Sequence, residues 1–186
     1  MSSFSLHNPD SGGRCEIELE RGLTFAVEAG SSHGLDSMLE QLLHYPGTQI
    51  ADNVGGTVSS INVMENIGLP AIYHGVAPLA TLEQEVLDVL AACGLEQPQA
   101  EALCRKRPGE LGPFEKRLVG FVRSLLMRPG LLVYNRFLEG LTCTEMERAV
   151  ALNAVYRARQ PAGTAVYLLL RDMPGLAPAC DRSFVT

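Results

Sequence analysis

The chain has 186 residues, of which 46% are hydrophobic and 19% charged, with a formal net charge of −6. This length and balance suit one globular domain with a substantial core and exclude a disordered chain. No apolar run approaches the roughly 18 residues of a membrane span, and the acidic balance argues against a nucleic-acid partner.

The first residues, Met1 to His7, lack a basic segment followed by an apolar one, so no export signal is expected and a cytoplasmic location follows. Residues 15–28 alternate, with Cys15, Ile17, Leu19, Leu23, Phe25 and Val27 apolar. The pattern predicts two short, half-exposed antiparallel strands with a turn at Arg21 and Gly22. Met38, Leu39, Leu42 and Leu43 predict a helix over 37–44, and the Gly-, Asn-, Ser- and Thr-rich stretch 46–62 a loop region with room for a short strand. A helix is predicted from Val63 that Pro70 disturbs. Thr81 and Gln84 have cap spacing for the next helix, whose face carries Leu82, Val86, Val89 and Cys93 and whose end suits Gly94.

Helices are further predicted over 97–104, over 114–127 and from Cys143 or Thr144 to about Arg159. Around them, residues 131–134 and Thr164–Leu170 form fully apolar runs that read as buried strands. Strand, helix, strand in this order is a βαβ unit with a parallel pair. The first of these strands ends on Asn135 and Arg136, where a parallel α/β sheet presents its chemistry.

Other constellations point to no chemistry. His7, His33, His44 and His74 have no metal-ligand spacing, and the five cysteines include no Cys-x-x-Cys pair, so neither metal binding nor redox function is supported. No Gly-x-Ser-x-Gly elbow is present. Gly55, Gly56 and Thr57 read as a turn, and Arg105 to Arg107 as a solvated helix end.

Several segments in this order resemble the ATP-binding subunits of ABC transporters. They are Pro108 to Leu111, a helix with Arg123, Pro129, a buried strand, Gly140 and Leu141, a helix, and a second strand ending near Asp172. Ser59–Pro70 reads Ser-Ser-Ile-Asn-Val-Met-Glu-Asn-Ile-Gly-Leu-Pro. It is similar to the segment that follows the Q-loop in that family, most of all in the ATPases of Mce-type phospholipid transporters. The resemblance spans about residues 16–186 with a large deletion. It implies one truncated α/β domain of the P-loop type over 1–186, with a mainly parallel sheet, a helical subdomain at about 63–127 and a small N-terminal antiparallel β part.

The same comparison implies systematic departures from an ATPase. The phosphate loop corresponds to Ser31–Ser37, where Asp36 stands in the place of the phosphate-binding lysine and Ser37 in that of the Mg²⁺-binding serine. Read from the residues alone, this stretch is a helix N-terminus with an acidic first turn. Asn53 corresponds to the Q-loop glutamine. The signature loop becomes Leu111, Gly112, Pro113, Phe114 and Glu115, which removes a backbone donor, adds bulk and adds negative charge. Asn135 and Arg136 stand for the two acids that hold Mg²⁺ and orient water, and Arg171 for the γ-phosphate histidine. Asn135 is expected as a hydrogen-bonded amide at the core edge. Arg136 and Arg171 are expected to pair with Asp36, Glu139 or Asp172 in an internal ion network.

The resulting expectation is a pseudo-ATPase with no catalytic residue, cofactor or metal. It would be a non-catalytic subunit or regulator of an ABC-type lipid transport complex at the inner membrane. Its partners would be a permease, an active ATPase paralogue or a second copy, met through Asn62, Met64, Glu65, Tyr73 and His74. The alternatives are an ATP-binding weak half of a heterodimeric motor and a free-standing interaction protein.

Overall fold

A computed structural model describes residues 4–7, 16–76, 78–171 and 180–185. A short antiparallel pair, β1 (Phe4–His7) and β2 (Glu16–Leu19), precedes the main chain path. There follow β3 (Thr24–Ala29), α1 (Ser32–Leu43), β4 (Thr48–Asp52), α2 (Val63–Tyr73), α3 (Leu79–Ala92) and α4 (Gln97–Arg105). A 3-10 turn at Pro108–Glu110 leads into α5 (Pro113–Leu126), β5 (Leu131–Asn135), α6 (Cys143–Arg159), β6 (Thr164–Leu170) and β7 (Arg182–Val185). The last five strands of the sheet run parallel in the order β4-β5-β6-β3-β7.

Side chains alternate strictly across this sheet, as the two-residue period of a strand requires. Leu131 and Val133 of β5, Val166 and Leu168 of β6, and Phe25 and Val27 of β3 face α1 and the β1–β2 pair. Leu132, Tyr134, Ala165 and Tyr167 face the opposite way, into the core formed with α2 to α6. Both faces of the sheet are therefore covered, which is why β5 and β6 read as continuous apolar runs rather than alternating ones. In the larger core Tyr134 stacks on Tyr167 with centroids 4.2 Å apart, and Phe137 closes against Tyr134 at 5.1 Å. Tyr156 is wholly buried, and its hydroxyl donates toward the carbonyls of Thr164 at 3.1 Å and Pro129 at 3.2 Å.

Several boundaries differ from the sequence expectation for identifiable reasons. The two strands flanking Arg21 and Gly22 do not pair with each other: β2 joins β1, and β3 enters the buried centre of the parallel sheet. The turn between them only changes layers, so β3 is buried rather than half exposed. Helix α1 begins five residues early because the Ser31 hydroxyl accepts the Gly34 N–H at 3.0 Å, a cap outside the apolar pattern.

Pro70 sits inside α2 without ending it. Asn62 and Glu65 form a reciprocal capping box, and the helix continues to Tyr73. The N-cap of α3 is Pro78 rather than Thr81, whose hydroxyl donates back to the Pro78 carbonyl at 3.1 Å. Gly94, at φ +88°, does end that helix as expected. The predicted helix over 97–104, that over 114–127 and both buried strands lie where expected within one residue, and the helix to Arg159 also matches. Cys15 and Asp172 lie outside the described residues. Among the described residues no helix is long and apolar enough to cross a membrane.

Candidate functional site

Because the five strands are parallel, their carboxyl ends meet along one edge of the sheet, the usual place for a ligand in open α/β sheets. The register sets Asp52 beside Asn135, and Asn135 beside Leu168. The Arg136 N–H donates to the Leu168 carbonyl at 3.2 Å, and the Arg171 N–H to the Ala29 carbonyl at 3.0 Å. Residues near 30, 53, 136 and 171 thus lie along the same carboxyl-terminal edge of the sheet, the side to which Asp36, Asn53, Asn135, Arg136 and Arg171 belong.

The link between β3 and α1 is only Gly30 and Ser31. A loop that cradles a phosphate needs several backbone N–H groups converging on one point, with a cation beside them. Here the Ser31 carbonyl and hydroxyl are already committed to the Leu35 and Gly34 N–H groups. Asp36 lies in the second turn of α1, not the first as expected, and is largely exposed. Ser37 is half-buried within the same helix. Strand and phosphate loop do not both fit ahead of Ser37: β3 is present, and the loop is what is missing.

Arg136 reaches across the crevice. Its Nη2 lies 3.1 Å from Asp36 Oδ1 and 3.4 Å from the Ser32 carbonyl oxygen. The backbone of Arg136 turns into the left-handed region at φ +50°, which carries the chain away from β5 and aims the side chain at α1. One pair of the expected ion network therefore exists. Glu139 is not Arg136's partner; its Oε1 is buried with no hydrogen-bond partner, and its N–H donates to the Arg136 carbonyl at 3.1 Å. Asn135 also departs from expectation, since its Oδ1 is buried without a hydrogen bond. Its neighbour Asp52 is occupied instead with the N–H groups of Val54 at 3.0 Å and Gly55 at 2.6 Å.

The segment after β4 is built against α5. Gly55 and Gly56 take φ +78° and +51°, and a Cβ on Gly55 would stand 2.7 Å from the Lys116 carbonyl oxygen. Arg123 donates to the Gly56 carbonyl, and burial lowers its guanidinium pKa while Asp52 raises it. Further on, Asn66 is buried and orders the turn ahead of α2. Its Oδ1 accepts the Val58 N–H at 2.7 Å, and its Nδ2 donates to the carbonyls of Val58, Ile61 and Asn62. Asn53 itself is half-exposed at the crevice side.

At the start of α5, Gly112 is the N-cap and Pro113 the first helical residue, where a missing N–H costs nothing. The Glu115 carboxylate accepts the Gly112 N–H at 3.0 Å and pairs with Lys106 at 2.6 Å. The helix thus caps its own positive end with its own acid. Phe114 is buried beneath the Arg148 guanidinium, 4.0 Å above its ring. Beside it lies a groove of about 280 Å³ lined by Leu103, Lys106, Phe114, Glu115, Leu118 and Arg148.

The predicted partner residues divide into two kinds. Asn62 and Glu65 spend their polar groups on the α2 cap, while Tyr73 is 82% exposed and meets His74 edge-on at 5.0 Å. Leu69 and Ile72 of α2 are exposed beside it, so that apolar side chains cluster at one end of the helix. Asn62 and Met64 line a second groove of about 360 Å³, with Glu83, Leu87, Cys104 and Arg105. Sequence reasoning also missed Arg117, which is buried in α5; its polar character inside an apolar helical face was the available signal. Among the described residues no cluster of His, Cys, Asp or Glu could hold a metal ion.

This architecture is the ABC-type P-loop fold, in truncated form: among the described residues, a five-stranded parallel sheet, six helices and a small antiparallel sheet. It is the fold of the ATP-binding subunits of ABC transporters, and the sequence relatives are of the same kind. The chain is 28% identical over 125 residues to a methionine import ATP-binding protein, MetN, of Xanthomonas campestris pv. campestris, covering 67% of this chain and 35% of that protein. It is 32% identical over 123 residues to a lipoprotein-releasing system ATP-binding protein, LolD, of Jannaschia sp., covering 65% of this chain and 46% of that one. The chain thus spans about a third to a half of the curated relatives it matches. Among solved structures, cbiO1 of Clostridium perfringens, part of the ABC transporter complex cbiONQ, superposes with a TM-score of 0.77 at 14% identity, covering 99% of this chain and 85% of that one. An ATP-binding cassette of an ABC transporter in its ADP conformation superposes at 0.72, also at 14% identity, covering 100% and 88%. No family model matches the chain.

Proposed function

We propose that the chain is a pseudo-ATPase: a non-catalytic subunit or regulator in an ABC-type transport complex, acting through protein contacts. The observation that carries this reading is the Arg136–Asp36 pair, 3.1 Å across the crevice. In an ATPase of this fold that crevice needs a cation on the α1 side for the phosphates and an acid at the β5 tip for water. Here both signs are reversed and the two groups neutralise each other. The two-residue link ahead of α1, too short for a phosphate loop, and the start of α5, where Glu115 takes the Gly112 N–H, support the same conclusion. These residues do not fit Mg²⁺-ATP.

Contact with a membrane-embedded partner is supported by the exposed apolar end of α2 and by the neighbouring groove that Asn62 and Met64 line. Lipid as the transported class rests on the Ser59–Pro70 segment alone. A cytoplasmic site at the inner membrane, reached through such a partner, belongs to the same proposal.

Calorimetry with Mg²⁺-ATP tests the central point: no measurable heat of binding is expected, and submillimolar affinity would overturn the proposal. Affinity capture from the native membrane fraction tests the partner. Recovery of a permease is expected, while recovery of soluble proteins alone would favour a free-standing interaction protein.

A further inference from the structure

Residues 136–139, which leave β5, are held from two directions by guanidinium groups. Arg136 reaches outward to Asp36 and the Ser32 carbonyl of α1. From the other side comes Arg117 of α5, only 6% exposed. Its Nε donates to the Phe137 carbonyl at 3.1 Å, its Nη1 to the Pro113 carbonyl at 3.0 Å, and its Nη2 to the Glu139 carbonyl. Phe137 and Leu138, between these ties, are buried. The Arg136 N–H anchors the same segment to β6 through the Leu168 carbonyl.

A guanidinium is suited to this work because its planar fork presents several donors in fixed directions and stays charged. Burial lowers the pKa of Arg117, while Glu145, Asp52 and Glu139 raise it. Those carboxylates come from the start of α6, the end of β4 and the held segment itself.

We propose that Arg117 and Arg136 form a strap that fixes residues 136–139 to α1 and α5 together, so that the two helices flanking the crevice keep one relative position. In this arrangement the protein itself supplies the cross-connection between the helical part and the sheet, with no ligand needed to hold it. The strap is a property of the chain alone and does not require the nucleotide reading.

Amide hydrogen exchange on the full, nucleotide-free chain tests it. Slow exchange is expected at 137–139 and at residues 116–119 of α5, the first amides of that helix bonded within it. Arg117→Gln should speed both by about tenfold or more, and Asp36→Asn should speed residues 136–139 and the first turns of α1. Lys106→Gln, which removes a neighbouring ion pair at the start of α5 but no part of the strap, should leave 137–139 unchanged. The double variant D36N/R117K should open 137–139 beyond the product of the single effects, because either tie alone still restrains the segment. Acceleration confined to α5 in R117Q, or a double variant giving only the product, overturns the proposal. Should R117Q unfold the chain, R117K is read in its place, and wild-type protection at 137–139 in that variant also overturns it. A positive nucleotide-binding result would sink the pseudo-ATPase reading and leave this test untouched.

Discussion

Arg136, at the tip of β5, and Asp36, in the second turn of α1, are one hundred positions apart in sequence and joined by a 3.1 Å ion pair. The Asp36 side chain is 62% exposed and that of Arg136 25%, so solvent screens much of the attraction. Such a pair is worth about 0.5–1 kcal/mol. Charge reversal is the sharper probe. Arg136→Glu should destabilise by about 1–2 kcal/mol, by losing the pair and placing two acids together. Adding Asp36→Arg should recover most of the loss. Urea unfolding of the two singles and the double measures this, and a neutral R136E would remove the pair from any account of the site.

Asn66 offers a larger effect. It is buried in α2, accepts one N–H and donates to three carbonyls of the preceding turn. Asn66→Ala leaves those groups without their partner in a part-buried site, which should cost about 1–3 kcal/mol. Thermal unfolding reads the cost. Faster exchange at residues 58–62 should accompany it, since that turn has little else to hold it.

The approach of the 53–57 segment to α5 predicts a steric result. Gly55 combines φ +78° with a would-be Cβ 2.7 Å from a backbone carbonyl oxygen that cannot swing aside. Gly55→Ala should therefore cost at least about 2 kcal/mol. Gly75, at φ +63° but with open space around it, supplies the contrast. Gly75→Ala should cost about 1 kcal/mol, from backbone conformation alone. Equal losses by chemical denaturation would contradict the close packing of Gly55.

The buried acids predict a pH dependence. Burial raises the thiol pKa of Cys104 from 9.0 to about 11, and those of Cys93 and Cys180 to about 12. It raises the phenols of Tyr134, Tyr156 and Tyr167 as well. Each group binds its proton more tightly folded than unfolded. Their contribution to stability is therefore complete below about pH 9 and is lost as pH rises through the folded values. Denaturation midpoints should fall between about pH 8.5 and about pH 10.5, and a flat profile would refute the burial of these groups.

The same thiols predict selective alkylation. At pH 8 the thiolate fraction of Cys104 is about one in a thousand, and the group is buried. Cys143 is exposed. Mass mapping after brief iodoacetamide treatment should find Cys143 modified well before Cys93, Cys104 or Cys180. Modification of Cys104 at the same rate would contradict the packing of α4.

How far the sequence reached follows from the range of each interaction. The apolar runs at Leu131–Tyr134 and Thr164–Leu170, the helix to Arg159 and the stop at Gly94 were legible because side-chain period and turn chemistry act within a few residues. The membership of Asp36, Asn135, Arg136 and Arg171 in one crevice was legible only through the order of segments. Where the sequence misled, the cause was local ambiguity. Two alternating runs around Gly22 look like a hairpin, and nothing within them says that the partner of β2 is β1. Asn135 reads as a satisfied edge amide, yet its register neighbour Asp52 turns away to the N–H groups of Val54 and Gly55.

The sequence by itself therefore determined the helices from α2 to α6, the buried strands β5 and β6 and the signs of the charges at the strand ends, since these are written in residue type and spacing, whereas β1 and β7 carry no such pattern. Only the tertiary structure decided the layer to which β3 belongs, the two-residue link before α1, and the partners chosen by Arg136 and Arg117. Those choices depend on groups brought together from distant positions by the parallel sheet. Hydrogen-bond distance and direction then settle which carboxylate or carbonyl each guanidinium meets.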